Sequence, residues 1–397
     1  MPRSEHLMTR EFLALNAIIF LAFCNISVFF QFHEYLGTLP ISSDYFGTLI
    51  GLFSLSVLVI RPIISPFLHP GNAKRWIAIS SAAVIVSLFL YNLALDFWSM
   101  AVVRSIHGAA YVLLATAVLS KLVDAIPANK SGQAFGLISV ITLLPYAVIP
   151  PLLEPLGRWV GSFDQILNLS ALMMVLAFPL LSLVHAKPAE HLAHSTDRIG
   201  LQDLKGNLKD RGILLLLFLS LLVWTSFTPV FYFLKGYGEK IGITNPGWFF
   251  TISTLMEILV RLVAGHMFDR LDKSRLLLAS MMWLAGGNFV LAAFPGPETF
   301  YAMSVFLGLG WGVAMPVLSG LVFDMSEARF RALNSNLAME MFQAGFFVGP
   351  VAGGAVLVYW GYPELYYACG GLLLVGVIAT CLLGLKQENP VTTSQLT

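Results

Sequence analysis

Apolar residues run through the chain in long blocks, and short polar breaks separate the blocks. A helix needs about 20 mostly apolar residues to cross the hydrocarbon of a bilayer. That length predicts spans at 12–36, 45–68, 76–95, 98–123, 133–154 and 164–186. A polar stretch, 187–211, interrupts. Six more spans follow at 212–237, 247–268, 275–295, 299–323, 333–359 and 364–385. Gly and Pro recur inside the spans, as membrane helices tolerate when neighbours satisfy the freed backbone groups. The pattern predicts an all-α membrane protein with twelve transmembrane helices. The short polar start, Met1 to Glu11, enters an apolar run with no small-residue cleavage site, so the run reads as a retained first helix.

Composition supports lipid as the main solvent. Of 397 residues, 57% are hydrophobic and only 11% charged, with a mean hydropathy of +0.79. Soluble domains carry about 25% charged residues. A formal net charge of +1 points to no nucleic-acid partner. Cys24, Cys369 and Cys381 sit in apolar runs without CxxC or metal-ligand spacing. No metal and no cofactor is expected.

Lys and Arg set the orientation. Of the 23, only Arg158, Lys235 and Lys240 fall at or beyond the span ends on one side, and Arg104 and Arg261 are set apart as lying within spans. The rest, including Arg3, Arg10, Lys74, Arg75, Lys121, Lys130, Lys273, Arg329 and Arg331, fall on the other. That bias predicts cytoplasmic termini and an even number of spans, in a multi-pass protein of the cytoplasmic (inner) membrane. The midway polar stretch then reads as a cytoplasmic linker. The layout is an N-terminal six-helix half, 1–186, the linker 187–211, and a C-terminal six-helix half, 212–397. Ile199 to Leu208 has the spacing of a short surface helix.

The halves match at an offset of 200 without gaps. RPIISPFLHPGNAKR, Arg61 to Arg75, aligns with RLVAGHMFDRLDKSR, Arg261 to Arg275. The outer arginines coincide and small Ser65 meets Gly265. At the same offset Gly108 meets Gly308, Asp124 meets Asp324, and Pro150 meets Pro350. Parallel repeats of this kind relate the two halves of one large transporter class.

On these residues the chain resembles the major facilitator superfamily. That family's signature between spans 2 and 3 reads roughly G-x-x-x-D-R-x-G-R-R. The second half carries the better copy, in Gly265, Asp269, Arg270 and Arg275; the first has Ser65 and His69 at the Gly and Asp positions. Arg104 with Gly108 is similar to the family's R-x-x-x-G element in span 4. Gly349-Pro350-Val351-Ala352-Gly353-Gly354 in span 11 is similar to a G-P-x-x-G-G element that the family's exporters carry in span 5. The resemblance implies two pseudo-symmetric halves rocking about a central site. It implies a cytoplasmic latch built from Arg61, Gly265, Asp269, Arg270 and Arg275, with Gly265 letting two helices approach closely.

Ionisable groups inside a membrane are costly and are functional candidates. Glu34, Arg104, His107, Glu257, Arg261 and Glu340 qualify, as transport or coupling residues. Glu257 and Arg261 share a helix face four residues apart and can pair. The resemblance places spans 8 and 11 in one half, which allows a contact between Glu340 and Arg261. It also places Arg104 and His107 on a cavity-lining span, where Arg104 could bind an anion and His107 could titrate near neutral pH. Asn25, Gln31, Phe231 and Gln343 are candidate cavity residues. Neither a G-x-x-x-x-G-K-[ST] phosphate loop nor a catalytic pair occurs, so the chain is not expected to be an enzyme or to hydrolyse ATP. The expected function is secondary active transport of a small solute by alternating access, as proton-coupled efflux by a monomer. The alternatives are a proton-coupled uptake symporter for a small organic metabolite and a non-transporting membrane receptor.

Overall fold

The computed structural model describes residues 7–127, 130–185, 207, 209–265, 268 and 271–383. The spans are α1 (Arg10–Leu36), α2 (Ser43–Phe67), α3 (Pro70–Leu93), α4 (Phe97–Ala125), α5 (Ser131–Val160), α6 (Phe163–Ser182), α7 (Arg211–Lys240), α8 (Trp248–Ala264), α9 (Lys273–Ala293), α10 (Pro297–Met325), α11 (Ala328–Tyr359) and α12 (Tyr362–Leu383). Eleven are long and apolar enough to cross a bilayer. The twelfth, α8, has 17 described residues, and its predicted end at 268 runs into residues outside the description. The linker 187–211 lies almost wholly outside it too, as does the surface-helix stretch except Asn207.

Capping side chains begin several spans at the polar surface. Thr9 accepts from Phe12 N at 3.1 Å, Asp96 from Trp98 N at 2.9 Å, Asp210 from Gly212 N at 2.7 Å and Asp272 from Ser274 N at 2.9 Å. Each meets amide groups that a first helical turn leaves unpaired. Hydrogen bonds from the Ser99 hydroxyl and backbone hold the Asp96 carboxyl below its usual range, so it stays an anionic cap at neutral pH. The predicted spans were too short where the first or last turn is charged. α3 starts at Pro70, not 76, because its first two turns are polar and carry Lys74, which donates to Val184 O at 2.6 Å. α5 continues six residues beyond 154 as one helix, with Glu154 and Arg158 paired one turn apart. It carries Pro145, Pro150, Pro151 and Pro155 without ending.

The repeat is visible in the contacts. α4 spans 97–125 and α10 spans 297–325. A Cβ on Gly108 would stand 2.4 Å from Phe53 O on α2, and one on Gly308 would stand 2.4 Å from Ser253 O on α8. Both pairs differ by 200, so α4 crosses α2 as α10 crosses α8. The contacts between halves obey the same rule. A Cβ on Gly47 would meet Pro350 O of α11 at 2.1 Å, and one on Gly247 would meet Pro150 O of α5 at 2.4 Å. One turn on, Gly51 lies against Phe347, and Thr251 donates to Ala147 O at 2.6 Å. The two halves are therefore joined by two equivalent crossings, α2 on α11 and α5 on α8.

Those crossings sit at the face where α1 ends and α2 begins. At the opposite face, where α1 begins, the helices hold together within each half. Lys121 of α4 meets Glu11 at 3.4 Å, and Lys273 of α9 meets Asp324 of α10 at 2.7 Å. Gly136 on α5 and Gly265 at the end of α8 have open space where a side chain would go. Among the described residues, the halves cross closely at the first face, and Gly136 and Gly265 meet open space at the second.

Candidate functional site

The parting of the halves leaves a central cavity with two lobes, of about 350 Å³ and about 230 Å³. They share a waist of Phe23 from α1, Thr142 and Tyr146 from α5, and Phe342 and Phe346 from α11. The larger lobe is bounded by Phe53, Ser54, Arg61, Tyr111, Tyr232 and Gln343 and reaches Ser65 and Asn336 toward the open face. The smaller lies in the second half, against Trp224, Phe227, Glu257, Arg261 and Trp311. The rings form a continuous wall. Trp224 meets Phe342 edge-on at 4.4 Å between centroids, Phe227 meets Trp311 at 4.9 Å, and Phe342 meets Phe346 at 4.6 Å. Aromatic pairs favour such offset and edge geometries.

The roof is aromatic as well. Phe231 is fully buried and stacks its edges on Tyr146, Phe30 and Phe250 within 6.2 Å. It closes the cavity above Tyr146 and does not line either lobe. Beyond it, His33 is wedged between Phe46 and Phe233. Glu34 stands at the junction of α1, α7 and α12: a Cβ on Gly236 would lie 3.0 Å from Glu34 Oε1 and nearer still to the Tyr362 hydroxyl. Its Oε2 is buried without a hydrogen bond. Glu34 thus belongs to the closed face between the halves.

Arg104 and His107 line neither lobe and lie behind Phe53 of the larger one. The guanidinium is 1% exposed and donates to Leu49 O at 3.1 Å, Ile50 O at 2.8 Å and the Tyr91 hydroxyl at 3.3 Å. Phe29, Phe32 and Phe53 surround it within 5.1 Å. This is a cation–π cage that fastens α4 to α1 and α2. It leaves no room for a solute anion. His107 is fully buried, 3.3 Å from the same Tyr91 hydroxyl, between Phe29 and Phe53. Sequence spacing alone does not reveal that α2 turns two backbone carbonyls toward Arg104.

Among the polar cavity candidates, Gln343 lines the larger lobe. Asn25 does not: its amide donates to Leu21 O at 3.0 Å and faces Met174 Sδ of α6 at 3.4 Å. Gln31, in the 3-10 turn that follows, is outside both lobes as well. α1 presents Ile19, Phe23 and Ile26 to the cavity instead, one helical face away from Asn25.

Glu257 and Arg261 do come together, at 3.3 Å on α8. Arg261 also donates to Ser139 Oγ of α5 at 2.8 Å, across the halves. The contact between Glu340 and Arg261 that the shared half allowed is not made. The cation whose charge reaches Glu340 is Arg61, on α2 of the other half. The offset explains this, since 61 and 261 are equivalent and each faces the half it does not belong to. Glu340 Oε2 is buried without a hydrogen bond. Of the latch set, Asp269 and Arg270 lie outside the described residues. Among the described residues Gly265 makes no close helix contact, and Arg275 is exposed, paired with Asp272 of its own turn at 3.2 Å. The close approach expected at Gly265 is not made by any described residue.

Two six-helix units built on one pattern, with a cavity between them, are matched by a sequence profile over residues 12–246 and again over 213–396. The chain belongs to the Major Facilitator Superfamily. Its fold is that of solved transporters. The nucleoside transporter NupG superposes with a TM-score of 0.78 at 16% identity, over 96% of this chain and 100% of that one. A bacterial homologue of the human lysosomal transporter Spinster, in an inward-facing and unoccupied conformation, gives 0.76 at 12% identity over 96% of each. Among curated relatives, the quinolone resistance protein NorA of Staphylococcus aureus is 23% identical over 176 residues, 44% of this chain and 45% of that protein. The riboflavin transporter RibZ of Clostridioides difficile is 23% identical over 147 residues, 37% and 31% of the two chains. The chain thus matches less than half the length of these relatives. RibZ and the structural neighbours are transporters by name, and this chain is a multi-pass membrane protein of the superfamily.

Proposed function

We propose that this transporter exports small, flat aromatic solutes across the cytoplasmic membrane in exchange for protons. The observation that carries the reading is the cavity: it lies between the halves, is walled by aromatic rings, and holds a carboxylate in the membrane. The Lys and Arg bias supports cytoplasmic termini. On that topology the open face is cytoplasmic, and the structure is the state that would load a solute from inside. Quinolones, riboflavin and nucleosides, which the relatives' names mention, are all built on flat heteroaromatic rings. Flat rings stack well on Trp, Tyr and Phe walls. Glu257 in the smaller lobe and Glu340 beside the larger are the carboxylates placed to take a proton. One chain encloses the cavity, so a monomer suffices.

The test is flux in proteoliposomes with an imposed pH gradient, using aromatic solutes of cationic, neutral and anionic type. Solute leaving the cytoplasmic-equivalent side as protons enter is the expected result. Accumulation of solute together with protons would replace export by uptake symport. No flux of any solute would overturn the reading.

A further inference from the structure

The two lobes differ in charge although the helices around them repeat. The larger lobe is lined by Arg61 and by no carboxylate among the described residues. The smaller has Glu257, whose side chain is 10% exposed, at the edge of a box made by Trp224, Phe227, Trp311, Phe342 and Phe346. The neighbouring cation does not consume Glu257. Arg261 reaches Oε2 through a single nitrogen at 3.3 Å, while its other terminal nitrogen donates to Ser139. Its Nε is buried with no partner and so is closed to a ligand. Glu257 Oε1 makes no hydrogen bond among the described residues.

Position 57, the equivalent of Glu257, is a fully buried valine. The carboxylate is therefore not part of the repeated scaffold. A carboxylate oxygen with no partner among the described residues, in a lobe lined by two Trp and three Phe rings, is the chemistry that recognises organic cations, since aromatic rings attract positive charge and Trp does so best. An anion would be repelled by that oxygen, and the terminal nitrogens of Arg261 at the same lobe are already donated to Ser139 and Glu257.

We infer that the smaller lobe is the binding site for the cationic head of a compact organic monocation, such as a substituted ammonium carried on an aromatic body. The inference rests on the transport reading and narrows its substrate class. Its volume of about 230 Å³ fits one such head with its ring. The larger lobe, lined by Arg61 and aromatic rings, takes the uncharged remainder.

Binding to the purified protein, followed by tryptophan fluorescence at fixed pH, tests this with two probes of one shape. Benzyltrimethylammonium carries the charge and neopentylbenzene is its neutral isostere. The cation is expected to bind at least tenfold more tightly, and Glu257→Gln to bring the ratio close to one. Trp311→Leu is expected to lower the ratio severalfold and serves if Glu257→Gln does not fold. Equal affinity for the two probes, or a ratio unmoved in a folded variant, overturns the inference. Flux of aromatic solutes with no preference for cations would overturn it and leave transport standing. A cation-selective site without flux would do the reverse.

Discussion

Valine at both Gly47 and Gly247 is expected to reduce transport at least tenfold and to expose the face that is closed in this structure. A Cβ at Gly47 would stand 2.1 Å from Pro350 O, and one at Gly247 would stand 2.4 Å from Pro150 O. Both obstacles are backbone, so no rotamer change can relieve them. Overpacking costs about 1–3 kcal/mol per site, and about 1.4 kcal/mol is a tenfold change in an equilibrium. The two crossings join separate halves and can open without unfolding either. The strain therefore falls on the equilibrium between the two open states. Thiol labelling of single cysteines at the closed face, together with flux, is the check. Unchanged labelling and unchanged flux would show that the crossings do not gate. Gly108 and Gly308 are the contrast, because their contacts with Phe53 and Ser253 lie inside a half and hold its fold.

Glu340→Gln is the second large effect. Glu340 projects from α11, with Oε2 buried and unpaired. Its electrostatic neighbour is Arg61 of the other half. When the carboxylate is charged, attraction between them draws α2 and α11 together; when it is protonated, that attraction is lost. A proton on Glu340 therefore changes the force between the halves. Position 140, its equivalent, is a valine, so the symmetric partner has no such response. With glutamine, transport driven by a pH gradient is expected to fall at least tenfold, while exchange of solute down its own gradient persists. A variant that keeps its full response to pH removes Glu340 from coupling.

Much of this architecture can be read from the chain alone, for a physical reason. Spans announce themselves by hydrophobic length, and the offset of 200 links contacts as well as residues. The pairs Gly108 with Gly308 and Pro150 with Pro350, noted as matching letters, mark two crossings inside halves and two between them. The charges were harder. Span depth made Arg104 a candidate, but only packing shows that Leu49 O, Ile50 O and three phenylalanines enclose it. Asn25 is polar in an apolar span, yet its amide turns back to Leu21 and toward α6. Which helix face meets the cavity is set by tertiary crossing angles, which local periodicity does not encode. The same limit hides the exchange of partners between halves: the spacing allows Glu340 a contact with Arg261, while the charge that reaches it is that of Arg61. The aromatic cavity walls had a weaker signal: Phe231 and its neighbours on α7 mark the right helix, though Trp224 and Phe227 line the lobe.

The most direct test of alternating access about this cavity uses the repeat itself. Ser131 and Arg331 begin α5 and the main helix of α11 on the open face, and Trp159 and Tyr359 lie at their far ends. All four are exposed. Spin labels on each pair, in a background without reactive cysteine, give one distance across each face by pulsed electron resonance. Adding transported solute and a proton gradient is expected to shorten the Ser131–Arg331 distance while lengthening the Trp159–Tyr359 distance. Two distances that stay fixed, or that change in the same direction, would contradict the account.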